Sequence, residues 1–197
     1  MSFRPALALP LLAGMLAASG CVAFEHPPSA QMGCDPRLAG AWQPEGANSG
    51  VPVTLDAQCE AVFPPRDNGR LPEYRTTLRS FTLDGHDYLV FSVRDVDSIF
   101  GLEAAQFTVA APKDSVFLLR YRIEGDRVRG TVADADFATN AVLTKRMRGR
   151  ELGKAMVLAE GDSDAMTTLL RNQPALFDDA STTQQVRLRR ATAKVTP

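Results

Sequence analysis

Asp84, His86 and Asp87 fall within one short run, Asp84-Gly85-His86-Asp87. An imidazole among carboxylates could move a proton or hold a divalent cation weakly. The Asp84-Gly85 pair favours a plainer reading, the solvated tip of a hairpin. The chain has 2 histidines, His26 and His86, too few for a histidine-built metal centre. No metal or cofactor is therefore expected. Glu160 to Asp164 is an acidic run without the spacing of a calcium loop, and helix capping accounts for Asp162 and Asp164. A nucleophile elbow, a zinc-binding His-Glu-x-x-His helix and a glycine-rich phosphate loop are all missing from the sequence. Lys145 to Lys154 is basic and could meet anionic headgroups or peptidoglycan, but a solvated loop explains it more simply. No catalytic residue is assigned.

Cys21, Cys34 and Cys59 are the remaining reactive side chains. The chain opens with one charge, Arg4, followed by an apolar run from Ala6 to Ala18 broken only by Pro10 and Gly14. That is the layout of a secretory signal, shorter than the ~20 residues needed to span a bilayer. The run Ala18-Ser19-Gly20-Cys21 resembles the lipobox of bacterial lipoproteins. The resemblance implies that the Cys21 thiol carries diacylglycerol, that residues 1–20 are removed, and that the new amino group is acylated. Stable anchoring needs more than one acyl chain, which such a cysteine supplies. An ordinary signal peptide cut near Gly20, leaving a free thiol, is the competing reading. In Gram-negative members of the family, aspartate after the cysteine retains the protein at the inner membrane. Val22 stands there, so the resemblance implies the outer membrane, with the domain facing the periplasm.

Export also bears on the other two cysteines. Disulfides persist outside the cytoplasm, and a Cys34–Cys59 bridge is the simplest pairing. It is expected to stabilise the fold by roughly 3–4 kcal/mol. A metal or redox pair is the alternative, but there is no C-x-x-C and no histidine close in sequence. The 22 basic and 23 acidic residues give a net charge of −1. No strong overall field for nucleic acid follows.

The elements that would position these residues are mostly strands. Residues 22–33, with Pro27-Pro28, read as a tether from the lipid at Cys21. Alternation at Val51, Val53 and Leu55, at Tyr74 to Leu83, and at His86 to Val93 reads as strands. Gln106 to Ala110 is a further short one. The clearest hairpin is Val116 to Val132, turning at Glu124-Gly125-Asp126, with Gly130 marking a bulge or a close contact. Phe137 to Met147 and the segment capped by Asp162 read as helices, the second closed by Pro174. Ala155 to Glu160 and Val186 to Arg189 complete the strands.

The expected fold is thus mainly β, an antiparallel barrel or sandwich with two short helices. Residues 34–191 form the domain, and 192–197 a tail. Gly40-Ala41-Trp42, entered from Cys34-Asp35-Pro36-Arg37, is similar to the opening of lipocalin-like domains. That resemblance implies a barrel whose tryptophan closes one end against an arginine of the last strand, here Arg187, Arg189 or Arg190. The wider layout also looks like a group of bacterial lipoproteins of unassigned function. The expected function is a non-enzymatic, lipid-anchored envelope protein that binds a small apolar ligand or a protein partner, such as an inhibitor or immunity protein. No nucleic acid is expected. A hydrolase of lipid or cell-wall substrates is the alternative, and two carboxylates converging in a cleft would favour it.

Overall fold

Leu78 is the point where this fold turns on itself. The strand before it, β5 (Tyr74–Thr77), pairs with β4 (Glu60–Phe63). The strand after it, β6 (Arg79–Leu83), pairs with β7 (His86–Ser92). Leu78 itself is buried and donates its N–H to the Cys59 carbonyl at 2.9 Å. One extended segment therefore ends one edge strand of the sheet and starts another. This computed structural model describes residues 21–45, 51–65, 70–100, 111–152, 156–178 and 185–191. The apolar leader (1–20), the strand expected at Gln106 to Ala110 and the tail (192–197) lie outside them.

The other strands are β1 (Cys21–Phe24), β2 (Gly40–Pro44), β3 (Val53–Leu55), β8 (Val116–Glu124), β9 (Arg127–Val132), β10 (Gly149–Glu151), β11 (Met156–Ala159) and β12 (Gln185–Arg190). The main path runs β10-β11-β1-β8-β9-β12-β2-β3-β4-β5, and β7 lies on the other edge of β8 with β6 outside it. The sheet is mixed and is not closed into a barrel. Two of its edge strands, β5 and β6, are joined through the chain at Leu78 and not by a ladder. Among the described residues, strict antiparallel pairing fails at one place. β1 runs parallel to β11, with Cys21 opposite Met156 and Phe24 opposite Ala159.

That pairing corrects the tether. Residues 21–24 are built into the domain, where Val22, Ala23 and Phe24 are fully buried. Farther along the same segment, Gly33 exchanges backbone hydrogen bonds with Ser80 at 2.8 Å. Pro27-Pro28 prevents only a regular strand; it does not keep the flanking residues out of the core. The helix count is also corrected. Three short α-helices are present among the described residues: α1 (Val93–Phe100), α2 (Ala135–Leu143) and α3 (Ser163–Asn172). The last two correspond to the expected pair, but the first begins at Ala135, capped by Asp134, and ends at Leu143, short of the expected Met147; the second is capped by Asp162 as expected. The strand read as running through Val93 stops at Ser92 instead. Ser92 Oγ accepts from the Asp95 N–H, and Asp95 Oδ2 accepts from the Ser92 N–H and hydroxyl. This reciprocal box is a strong helix start, and it gives α1.

Two large clusters fill the interior. One holds Trp42, Leu55, Ala61, Leu78, Leu89, Leu119 and Val128, so β2, β3, β4, β7, β8 and β9 all curl around it. The other packs α2, α3 and the 3₁₀ turn Pro174–Phe177 against the opposite face, over Phe24, Phe81, Tyr88, Leu118 and Val157. Gly130 lies at a close contact: a Cβ there would meet Leu119 Cδ1 at 2.8 Å.

Candidate functional site

The sequence Asp35-Pro36-Arg37 encodes a tight local structure. Asp35 is an N-cap residue, Pro36 fits the first helical position, and the 3₁₀ turn Pro36–Leu38 follows. The Asp35 carboxylate accepts from the Arg37 N–H at 3.0 Å, as a cap should. It does more than cap. Arg37 Nε donates to Asp35 Oδ1 at 2.8 Å and Nη2 to Oδ2 at 2.7 Å, a two-pronged pair. Tyr121 reaches out from β8 and donates its hydroxyl to Asp35 Oδ2 at 2.6 Å.

β7 supplies the second carboxylate. Asp87 is the register partner of Tyr121. Its Oδ2 accepts from Arg37 Nη2 at 2.6 Å, and its Oδ1 accepts from the Thr82 hydroxyl at 2.7 Å. These groups line one side of an open groove of about 420 Å³, which Ser80 and Gln31 also border. Arg37 keeps 59% of its side-chain surface exposed there while two carboxylates fix its guanidinium.

Electrostatics follow from this geometry. Burial alone would raise the Asp35 carboxyl, but the hydrogen bonds from Arg37 and Tyr121 outweigh it, and the group is held below the usual carboxylate range. Burial, then the bond to Asp35, pushes the Tyr121 hydroxyl up. Bonds to Asp35 and Asp87 raise Arg37, so it stays a cation throughout. A carboxylate held ionised at neutral pH is a poor general acid.

Acid should expose this arrangement. Asp35 has a lowered pKa in the folded state, so its contribution is complete above the unfolded value of ~3.9 and is lost as pH falls through the folded one. Asp95 shifts the same way: burial opposes ionisation, but bonds from Ser92 and Tyr74 prevail. The urea midpoint should hold steady down to about pH 5 and drop below about pH 4. Asp35→Asn should begin lower at pH 7 and fall less in acid. Parallel curves for the two proteins would remove Asp35 from the account.

Beside the groove stands the bridge. Cys34 and Cys59 are joined, with S–S 2.06 Å and Cα atoms 5.6 Å apart. Next to it, Trp42 is buried and donates its indole N–H to the Leu38 carbonyl at 2.7 Å. The arginine on its ring is Arg190, whose Cζ lies 4.5 Å from the ring centroid. Arg190 Nη1 also donates to the Ala39 carbonyl at 2.8 Å. Gly40 has φ +137°, and a Cβ there would strike Arg190 Nη1. Arg187 and Arg189 alternate outward and are exposed.

The other residues of interest separate. Asp84 sits in the turn with φ +50° and meets Arg171 Nε at 3.3 Å, and His86 is exposed at the start of β7. Among the described residues, no group of three metal-ligating side chains comes together. Cys21 is partly buried in β1, and burial pushes its thiol up to about 11. Val22 is a core side chain. Within the basic run, Arg146 stacks on Phe137 and Arg150 pairs with Glu160. Asp35, Arg37 and Tyr121 were not singled out from the sequence. The Asp-Pro-Arg turn signature was the available signal, but their meeting depends on the β7–β8 register. No family model, curated protein or solved structure matches this chain.

Proposed function

We propose that this chain is a lipid-anchored protein of the outer membrane, facing the periplasm, that binds a partner and does no chemistry on it. The carrying observation is Arg37. It is half-exposed in an open groove, and Asp35 and Asp87 hold it in one orientation. A preorganised donor of this kind loses little freedom on binding. Of the two occupants expected from the sequence, the fixed hydrogen-bonding groups of Arg37, Asp35 and Asp87 favour a protein partner presenting polar groups over a small apolar ligand.

The Trp42–Arg190 stack and the curl of the sheet through Leu78 support a lipocalin-like reading of the domain. The hydrolase alternative draws on Asp35 and Asp87, which do converge on one groove. Both carboxylates bond to Arg37, and Asp35 is held ionised, so the acid-and-base pair that such chemistry needs is not set up.

Two measurements test this reading. Cys21→Ser should move the protein out of the membrane fraction or block its processing; unchanged partitioning would defeat the anchor. A photo-crosslinking residue at Gln31, on the groove rim, should give a discrete adduct in cells that Asp87→Asn weakens. An adduct indifferent to Asp87 would defeat the groove. Turnover of lipid or peptidoglycan by the purified protein, abolished by Asp35→Asn, would establish the hydrolase instead.

A further inference from the structure

β8, β9 and β12 are adjacent strands, and the positions on the face that carries Arg122, Arg129 and Arg187 fall into rows; the row at one end is closed over, with Thr131 buried and Arg120 stacked on Phe177. Arg122 is opposite Arg129, and Arg129 is opposite Arg187. The next row carries Glu124, Arg127 and Arg189, and the row on the other side carries Arg120, Thr131 and Gln185. Directly paired residues share a face of the sheet. Six of these nine positions are arginine, and the single acid among them is Glu124. Arg122, Arg127, Arg129, Arg187 and Arg189 are all exposed.

Like charges placed directly opposite each other across strands destabilise a sheet. Neighbouring groups offset some of this repulsion. Glu124 binds Arg122 Nε at 2.7 Å and Arg129 Nε at 2.9 Å. Glu45 approaches Arg127 Nε at 3.4 Å. Arg187 is met by a neutral group, donating to Gln185 Oε1 at 2.7 Å. Six arginines on the face stand against Glu124 and Glu45, an excess of positive charge on a chain whose net charge is −1.

We propose that this face docks on an anionic phospholipid surface. Three features of the face select that occupant. Every cation in these rows is arginine, whose planar fork matches phosphate oxygens in pairs. The rows contain no aromatic side chain, and recognition of single-stranded nucleic acid uses aromatic stacking platforms. They contain no apolar side chain either, whereas a stable protein interface has an apolar, often aromatic, core. A polar, arginine-rich face suits a layer of headgroups, where attraction is spread over many charges. The proposal is independent of acylation at Cys21 and of the Arg37 groove.

The test is flotation of the 197-residue chain carrying Cys21→Ser with vesicles of phosphatidylglycerol and phosphatidylethanolamine, against vesicles of phosphatidylcholine alone. Residues 1–20 are common to every arm, so differences between vesicles and between variants report the face. Binding to the anionic vesicles should be stronger and should fall with added salt. Arg129→Gln/Arg187→Gln/Arg189→Gln should lose about a hundredfold of it, with unchanged circular dichroism. Lys145→Gln/Arg146→Gln/Arg148→Gln, which removes equal charge elsewhere, should retain it. Equal binding to neutral vesicles, or loss in the second variant and not the first, would overturn the proposal. So would polyglutamate competing as well as phosphatidylglycerol at equal charge, which would point to an acidic protein.

Discussion

Trp42→Ala should destabilise the domain by about 3–5 kcal/mol, the range for truncating a fully buried large aromatic. Only 2% of Trp42 is exposed, so nearly all of its apolar surface would be lost from the core. Two further losses accompany the cavity. The Leu38 carbonyl loses the indole N–H that it accepts from at 2.7 Å, and a buried acceptor without a partner costs free energy. Arg190 loses the ring beneath it, leaving its hold on the Ala39 carbonyl. Against a typical stability of ~5–15 kcal/mol, the variant would be marginal. Its unfolding must be followed by far-UV circular dichroism, because Trp42 is the sole tryptophan. In the native protein the same ring should emit in the blue and resist iodide. A cost below about 1 kcal/mol, or free quenching, would show that the ring closes nothing.

Trp42 also shows how far the sequence could be read. Its burial and its arginine partner were what the resemblance of Gly40-Ala41-Trp42 to lipocalin-like domains implies, although the choice of Arg190 over Arg187 and Arg189 needed the register. β12 pairs Arg190 with Trp42, and alternation then turns the other two outward. The hairpin β8–β9, the cap Asp162 and the bridge were legible because each is local or has one simple partner. β1 was not. Four residues beside a Pro-Pro pair carry little periodic signal, and their burial depends on β11, far along the chain. The Asp35–Arg37–Asp87–Tyr121 cluster was hidden for the same reason. Its members come from a turn and two strands, and each residue alone has an ordinary explanation. Closure failed as an inference because strand count says nothing about whether the last ladder forms. Here the chain itself crosses that gap at Leu78.

Removing the Cys34–Cys59 bridge should cost about 3.5 kcal/mol, the loop-closure figure for a separation of 25 residues. With a urea slope of ~2–3 kcal/mol/M, the midpoint should fall by about 1–2 M. The fold should survive, because the apolar clusters under β2–β9 and under the helices do not depend on the sulfurs. Cys34 is exposed while Cys59 is buried, so a reductant can reach the bond from the groove side. The bridge is placed where several connections meet. Cys34 adjoins Asp35 and the 3₁₀ turn, and the Cys59 carbonyl accepts from the Leu78 N–H, where two edge strands of the sheet are joined. The turn is held from its other end by the bond from Trp42 to Leu38. The two losses therefore act on one segment, and neighbours that share partners do not add. Cys34→Ala/Cys59→Ala combined with Trp42→Ala should cost less than the sum of the separate changes, by about 0.5–3 kcal/mol. Strict additivity would mean that the bridge acts on the unfolded chain alone, with the turn held by Asp35 and Arg37. Two thiols that react readily in the native, unreduced protein would remove the bridge from the argument.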